Sequence, residues 1–549
     1  MTRRLLLIVG SALLALTATN GAQSLETPVP GDPIAIDTGR LAGLVLPSGV
    51  HAYFGVPYAA PPVRELRWKA PQPAPSWKGV YYAVHRPSEC MQRAGSPGAN
   101  GYSGAEAMSE NCLYLNLWRP STARAGQRLP VLVFVCGGGW VSGSANAGTC
   151  DGEQMSRRGL VFVTINYRLG VLGAYASREL SAEGPRGTSG NWGMLDMVAA
   201  LQWVHRNIER FGGDPGNVTI TGHSFGAQAV SMLQTTPLTR GLIHRVFAMS
   251  SARPSSYVIH DTQEQVERRY SGLAAAVGAK SLADLRATPP DRLVAAQLRF
   301  YDPHVDGYFF PEQPQAIWAA GKQNDVPALL SFAHDEDNSE LRRARTVPEY
   351  TAAAAKVYGA SAETFLRLYP VSTDAEVAKA AGEAAREAGH FGSMMFWASS
   401  QHTRSKAPVY VTDFSRNHPF TPGVTFSGGF NPMTAGAYHG SEIPYWFQNL
   451  DALNRYRTTR NWTAWDEEMS VKMADALAAF ARTGNPSTPA LRWPEWTPEA
   501  PKYVEFANAI TVRDANRQRI EFMWGQESTP HHNKPFPDQS GPGAVGATQ

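Results

Sequence analysis

The chain has 549 residues, 43% of them hydrophobic and 18% charged, enough apolar surface for a large core and too little charge for a disordered chain. Its 50 basic and 47 acidic side chains leave a net charge of +3. No basic stripe with interleaved aromatics runs along it, so nucleic acid is excluded as an expected partner.

Arg3 and Arg4 precede an apolar run from Leu5 to Leu16, and small residues follow near Asn20, Gly21 and Ala22. This is the pattern of an export leader over residues 1–22. The run is too short to span a bilayer, and no later stretch is long and apolar enough. The expected location is the periplasm or the exterior. An exported chain admits disulfides, and its four cysteines, Cys90, Cys112, Cys136 and Cys150, allow three pairings.

The continuous apolar runs Leu129–Val135 and 160–167 read as buried strands. Between 194 and 210, Leu195, Val198, Leu201, Val204 and Ile208 recur at helical spacing. Val218 to Thr221 reads as a short strand, and Ala227 to Leu233 as the start of a helix. Further strands are expected at 245–250, 326–332 and Val409–Phe414. Continuous apolar strands alternating with helices imply an α/β fold with a mostly parallel sheet covered on both faces. The alanine-rich stretches 262–300 and 347–400 read as helical insertions that wall a pocket. No linker divides residues 23–527. The tail, 528–549, is rich in Pro, Gly and His and reads as disordered; its His531 and His532 imply no metal site.

Between the Val218–Thr221 strand and the following helix lies Gly222-His223-Ser224-Phe225-Gly226. A Gly-x-Ser-x-Gly turn in that setting lifts a serine hydroxyl off the end of a sheet, and its glycines leave room for neighbouring chain. A serine hydroxyl needs a general base, and the base needs an orienting acid. In such a fold both follow the serine, acid first, at the ends of later strands. Asp335, Glu336 and Asp337 follow the 326–332 strand, and His439 closes the loop after Val409–Phe414. The oxyanion formed on attack needs aimed N–H donors. Cys136-Gly137-Gly138-Gly139-Trp140 follows the Leu129–Val135 strand directly, and Phe225 would supply a further N–H.

Phe54-Gly55-Val56-Pro57-Tyr58-Ala59, Leu66-Arg67-Trp68, Ser109-Glu110-Asn111-Cys112-Leu113-Tyr114-Leu115-Asn116, Asn166-Tyr167-Arg168-Leu169-Gly170, Gly190-Asn191-Trp192-Gly193 and the run from Phe211 to Ile220 complete the pattern. With them the chain resembles the type-B carboxylesterases, the α/β-hydrolase family that includes bacterial p-nitrobenzyl esterases and the cholinesterases. The resemblance implies hydrolysis of small-molecule carboxylic esters without metal or organic cofactor. It implies Ser224 as nucleophile, His439 as base and Glu336, rather than Asp335 or Asp337, as acid. It places Gly138, Gly139 and Phe225 at the oxyanion hole, and Ser250 where a serine helps orient the acid and base. It pairs Cys90 with Cys112 and Arg67 with Glu110. An amidase or lipase on the same scaffold is the alternative, and a non-catalytic adhesion module a remoter one.

The departures from that resemblance define further expectations. His223 stands where Glu is usual, Phe225 where Ala is usual, and Asp337 where Gly is usual. His223 is expected to support the site rather than act as the base, and its replacement of Glu disfavours choline esters. Cys136 and Cys150 replace two residues that lie close together in the related enzymes, so a second disulfide is expected. Arg253 and Trp140 are expected to meet substrate, Arg253 favouring a polar or anionic acyl group.

Overall fold

The computed structural model describes residues 27–93, 106–251, 261–296, 303–337 and 339–527. The expected leader, the tail and Arg253 lie outside the described residues. A 12-stranded sheet runs through the molecule. Its strands in chain order are β1 (Thr27–Pro28), β2 (Leu44–Val45), β3 (His51–Pro57), β4 (Tyr114–Arg119), β5 (Leu129–Val135), β6 (Val161–Ile165), β7 (Gly213–His223), β8 (Arg245–Met249), β9 (Ala328–Ala333), β10 (Val409–Phe414), β11 (Lys502–Phe506) and β12 (Ile510–Asp514). In space the order is β1-β2-β3-β4-β6-β5-β7-β8-β9-β10-β11-β12. Neighbours from β6 to β11 are parallel, and both margins are antiparallel.

The buried strands β6, β8, β9 and β10 show why the sheet reads as continuous apolar sequence. Helices cover both faces, so neither set of alternating side chains meets water. The strand expected at 160–167 stops at Ile165, because Asn166 turns away. Its side chain accepts from Ala145 N at 2.8 Å and donates to Ser88 O at 3.0 Å. The strand expected from 326 begins at Ala328, after Pro327, which has no N–H to give to a ladder. The helical pattern at 194–210 forms α1 (Trp192–Asn207), then tightens into a turn at Ile208–Phe211 that closes on Gly212 at φ 89°.

The order β6-β5-β7 has a consequence for function. The chain leaves β5 to one side to form β6, then returns through α1 to form β7 on the other side. The loops after β5 and β7 therefore start side by side at the carboxyl edge of the sheet, the edge at which open α/β sheets build their sites. A buried ion pair fixes the intervening segment: Arg168 donates through Nε and Nη2 to Asp196 of α1 at 2.8 and 2.7 Å, with both side chains nearly inaccessible. Arg67 and Glu110 likewise pair through two bonds of 2.7 and 2.6 Å. The 347–400 insertion carries a small core of its own, with Tyr350, Phe365, Tyr369 and Val377 packed together with Met523. No helix among the described residues is long and apolar enough to cross a membrane.

Candidate active site

β7 ends at His223, and α2 (Phe225–Thr235) begins one residue beyond. Ser224 joins them at φ 57° and ψ −124°, a conformation that L residues avoid at a cost of about 1–3 kcal/mol. Packing on each side holds it there. Its N–H donates to Met249 O of β8 at 2.9 Å. The glycines that flank it face the end of β5: a Cβ on Gly222 would lie 2.8 Å from Val135 O, and one on Gly226 only 2.2 Å. The neighbouring chain that the pentapeptide must admit is thus the strand that feeds the glycine loop.

That loop lies against the serine. A Cβ on Gly137 would sit 2.5 Å from His223 O and 3.1 Å from Ser224 Cβ. Gly138 takes φ +113°, and a Cβ there would strike Ser142 O at 2.3 Å. The carbonyl of Gly138 accepts from Val141 and Ser142 N–H groups, which turns the peptide so that its other side stays free. The N–H groups of Gly138, Gly139 and Phe225 donate to none of the described residues. Trp140, expected to meet substrate, is fully buried, with its ring edge-on to Phe225 at 4.4 Å.

The three acids after β9 have three different partners. The Glu336 side chain is inaccessible; its Oε1 accepts from Ala333 N at 3.0 Å, and its Oε2 lies 2.5 Å from His439 Nδ1. Asp335 ties the acid loop to the histidine loop: its N–H donates to Ala437 O, and Ala437 N donates back to its carboxylate, each at 3.0 Å. Asp337 turns to α3 (His390–Arg404), where it accepts from His390 N at 2.9 Å and faces His390 Nδ1 at 2.7 Å. Only Glu336 of the three bonds to His439.

Behind His439 lies a buried polar layer. The His223 ring is 4.5 Å from that of His439, and its Nε2 is 3.6 Å from Glu442 Oε1. Burial, helped by the neighbouring His439 and His390, pushes the His223 imidazole well below its usual range, so it stays uncharged. Ser250, which the resemblance places where a serine helps orient the acid and base, belongs to this layer. Its hydroxyl donates to Glu442 Oε1. Burial first, and then the charge of Glu336, raises the Glu442 carboxyl above the usual carboxylate range. Sequence reasoning missed two residues here. Glu442 was visible three positions after His439, but nothing marked it as buried. His390 lies in an alanine-rich stretch that read only as wall, and its one signal was Asp337 in place of the usual Gly.

Ligand atoms of Glu336, His390 and His439 lie within 4.8 Å of one another. The set fits protons better than a cation: Glu336 already engages His439 Nδ1, and Asp337 engages His390 Nδ1.

Cys90 and Cys112 are bonded. Cys136 and Cys150 are not; they are two buried free thiols, which corrects the second expected disulfide. Cys136 instead lies along the backbone of Gly143, whose Cβ would come 3.0 Å from its sulfur, and Cys150 contacts Thr149 Oγ1 at 3.7 Å. Burial pushes the Cys136 thiol up to about 12, so neither attack nor exchange is favoured there. The unfolded, unreduced protein should therefore titrate two thiols with a colorimetric disulfide reagent, and a count of zero would contradict the free pair.

A parallel-centred sheet with helices on both faces and a serine elbow at its carboxyl edge is the architecture of an α/β-hydrolase. The Carboxylesterase family profile matches residues 31–523. The chain is 32% identical over 493 residues to fumonisin B1 esterase of Sphingopyxis macrogoltabida, covering 87% of each chain. It is 30% identical to para-nitrobenzyl esterase of Bacillus subtilis (strain 168), covering 85% of this chain and 93% of that one. It is also 30% identical to cocaine esterase of Homo sapiens, covering 94% of each. A solved PNB esterase structure superimposes with a TM-score of 0.72 at 28% identity, over 91% of this chain and 99% of that one. The chain belongs to the carboxylesterase family. It is a carboxylic ester hydrolase.

Proposed function

We propose that this protein is an exported serine carboxylesterase, with residues 1–22 as leader and 23–527 as one hydrolase domain, that works through an acyl-enzyme on Ser224. The observation that carries the reading is the 2.5 Å contact between His439 Nδ1 and Glu336 Oε2, with the His439 ring 4.5 Å from that of His223, the residue before a serine held at φ 57°. His439 takes the Ser224 proton as the hydroxyl attacks the ester carbonyl. Glu336 orients the imidazole and stabilises its charged form. The N–H groups of Gly138, Gly139 and Phe225 receive the negative charge on the carbonyl oxygen, at the positive end of α2. His439 then protonates the leaving alcohol and activates the water that frees the acid. His223 stays neutral beneath it and shapes the site rather than carrying the proton.

The reading extends to an acyl side that is polar or anionic, with Arg253 as the residue that would meet it. The named relatives act on esters by their own titles, which favours esters over amides here as well. The test compares a chain-length series of p-nitrophenyl esters, a carboxylate-bearing ester and matched anilides. Rapid mixing should give a burst of about one p-nitrophenol per enzyme before the steady state. His439→Ala should abolish turnover. Arg253→Ala should selectively weaken the carboxylate-bearing ester. Faster anilide than ester cleavage, or full activity of His439→Ala, would overturn the reading.

A further inference from the structure

We propose that His390 is a positioning residue of this site, an imidazolium clamped by Asp337 that balances the buried Glu336 and restrains His439 from holding a second proton. The inference rests on the proposed roles of Glu336 and His439.

The clamp has three parts. Both oxygens of Asp337 are used, one on the His390 backbone N–H at 2.9 Å and one facing Nδ1 at 2.7 Å. Gly389 admits that carboxylate, since a Cβ there would lie 2.1 Å from it. The first residue of α3 is thereby tied to the loop that carries Glu336, and Nδ1 of His390 comes to 3.9 Å from Glu336 Oε1. Its ring lies 5.6 Å from that of His439.

The charges around His390 explain what this achieves. Glu336 and Asp337 face it from the acid loop, His439 and Glu442 from the histidine loop, and His223 from the end of β7. Arg386, one helix earlier, gives its guanidinium to Asp413 at 2.9 Å and to Glu387 at 3.3 Å. Glu336 and Asp337 would otherwise be adjacent carboxylates in a largely buried site. Burial works against a charge on His390, but Glu336 and Asp337 more than offset it and push the imidazole up to about 10. The resulting cation lies 3.9 Å from Glu336 Oε1. With its ring 5.6 Å from that of His439, it repels a positive charge there.

The test is the pH profile of kcat/KM for p-nitrophenyl acetate at constant ionic strength, for the wild type, His390→Asn and His390→Lys. His390→Asn should move the acid limb up by about 0.5 to 1.5 pH units. His390→Lys keeps the charge and should return the limb toward the wild-type position. An unmoved limb in His390→Asn, or equal displacement in both variants, overturns the inference. In case the variants fail to fold, the full-length wild type labelled with 15N-histidine supplies a second reading. At pH 8.5 it should still show an imidazolium, and the absence of any overturns the inference without a variant. If Glu336→Gln and His439→Ala are both active, the proposed acid–base assignment itself has failed. If both are inactive while the His390→Asn limb stays put, only this inference has.

Discussion

Ser224→Ala is expected to lower kcat for p-nitrophenyl esters by about 10⁵-fold, close to 7 kcal/mol of transition-state stabilisation, while leaving the fold intact. The variant keeps the Cβ, so it inherits the same φ of 57° and the same N–H bond to Met249 O. Only the hydroxyl is lost. The N–H groups of Gly138, Gly139 and Phe225 would still polarise a bound carbonyl, and a residual rate over water should persist from them. The pre-steady-state burst should vanish, and so should mass-detectable labelling by an organophosphonate. More than about one per cent of wild-type kcat in a contamination-free preparation would exclude Ser224 as nucleophile, since no catalytic step would then depend on it.

Gly226→Ala should show the second largest effect, through structure. The added Cβ would lie 2.2 Å from Val135 O and 3.1 Å from the Cys136 carbonyl carbon, and both are backbone atoms. No rotamer relieves such a contact, so β5 or the start of α2 must move. We expect a destabilisation of about 3 kcal/mol and a loss of kcat/KM of at least about 10³-fold. The loss of activity should exceed what unfolding explains, because the displaced strand carries the glycine loop and the displaced helix carries Phe225. Thermal unfolding and steady-state kinetics on the same preparation check both parts. A variant with wild-type melting and activity would show that the elbow has more room than these contacts allow.

The arrangement of the 12-stranded sheet explains what sequence could and could not reveal. Strand β5 was legible because its run Leu129–Val135 is apolar throughout, whereas β7 was read only over Val218 to Thr221, within its buried half, because its first half is polar and partly exposed. The elbow was legible because its glycines answer to one local demand, the passage of Val135. The run Asp335-Glu336-Asp337 was not resolvable from its own residues. Three adjacent carboxylates look alike in sequence, and only the chain brought against them separates them: Ala437 against Asp335, His439 against Glu336, His390 against Asp337.

The same distinction holds across the site. Fold class, family and reaction class were legible along the chain, because those depend on periodic burial and on short motifs whose partners are a few residues away. Tertiary structure alone decided how residues distant in the chain share one buried volume. It left Cys136 and Cys150 as separate thiols, sent the Ser250 hydroxyl to Glu442 and set the buried Trp140 ring edge-on to Phe225. It also brought His390, from a helical insertion, to within 5.6 Å of His439. The physical reason is that charge and hydrogen-bond energies in a buried site depend on separations through space of a few ångströms, and those separations are set by packing between elements far apart in the chain.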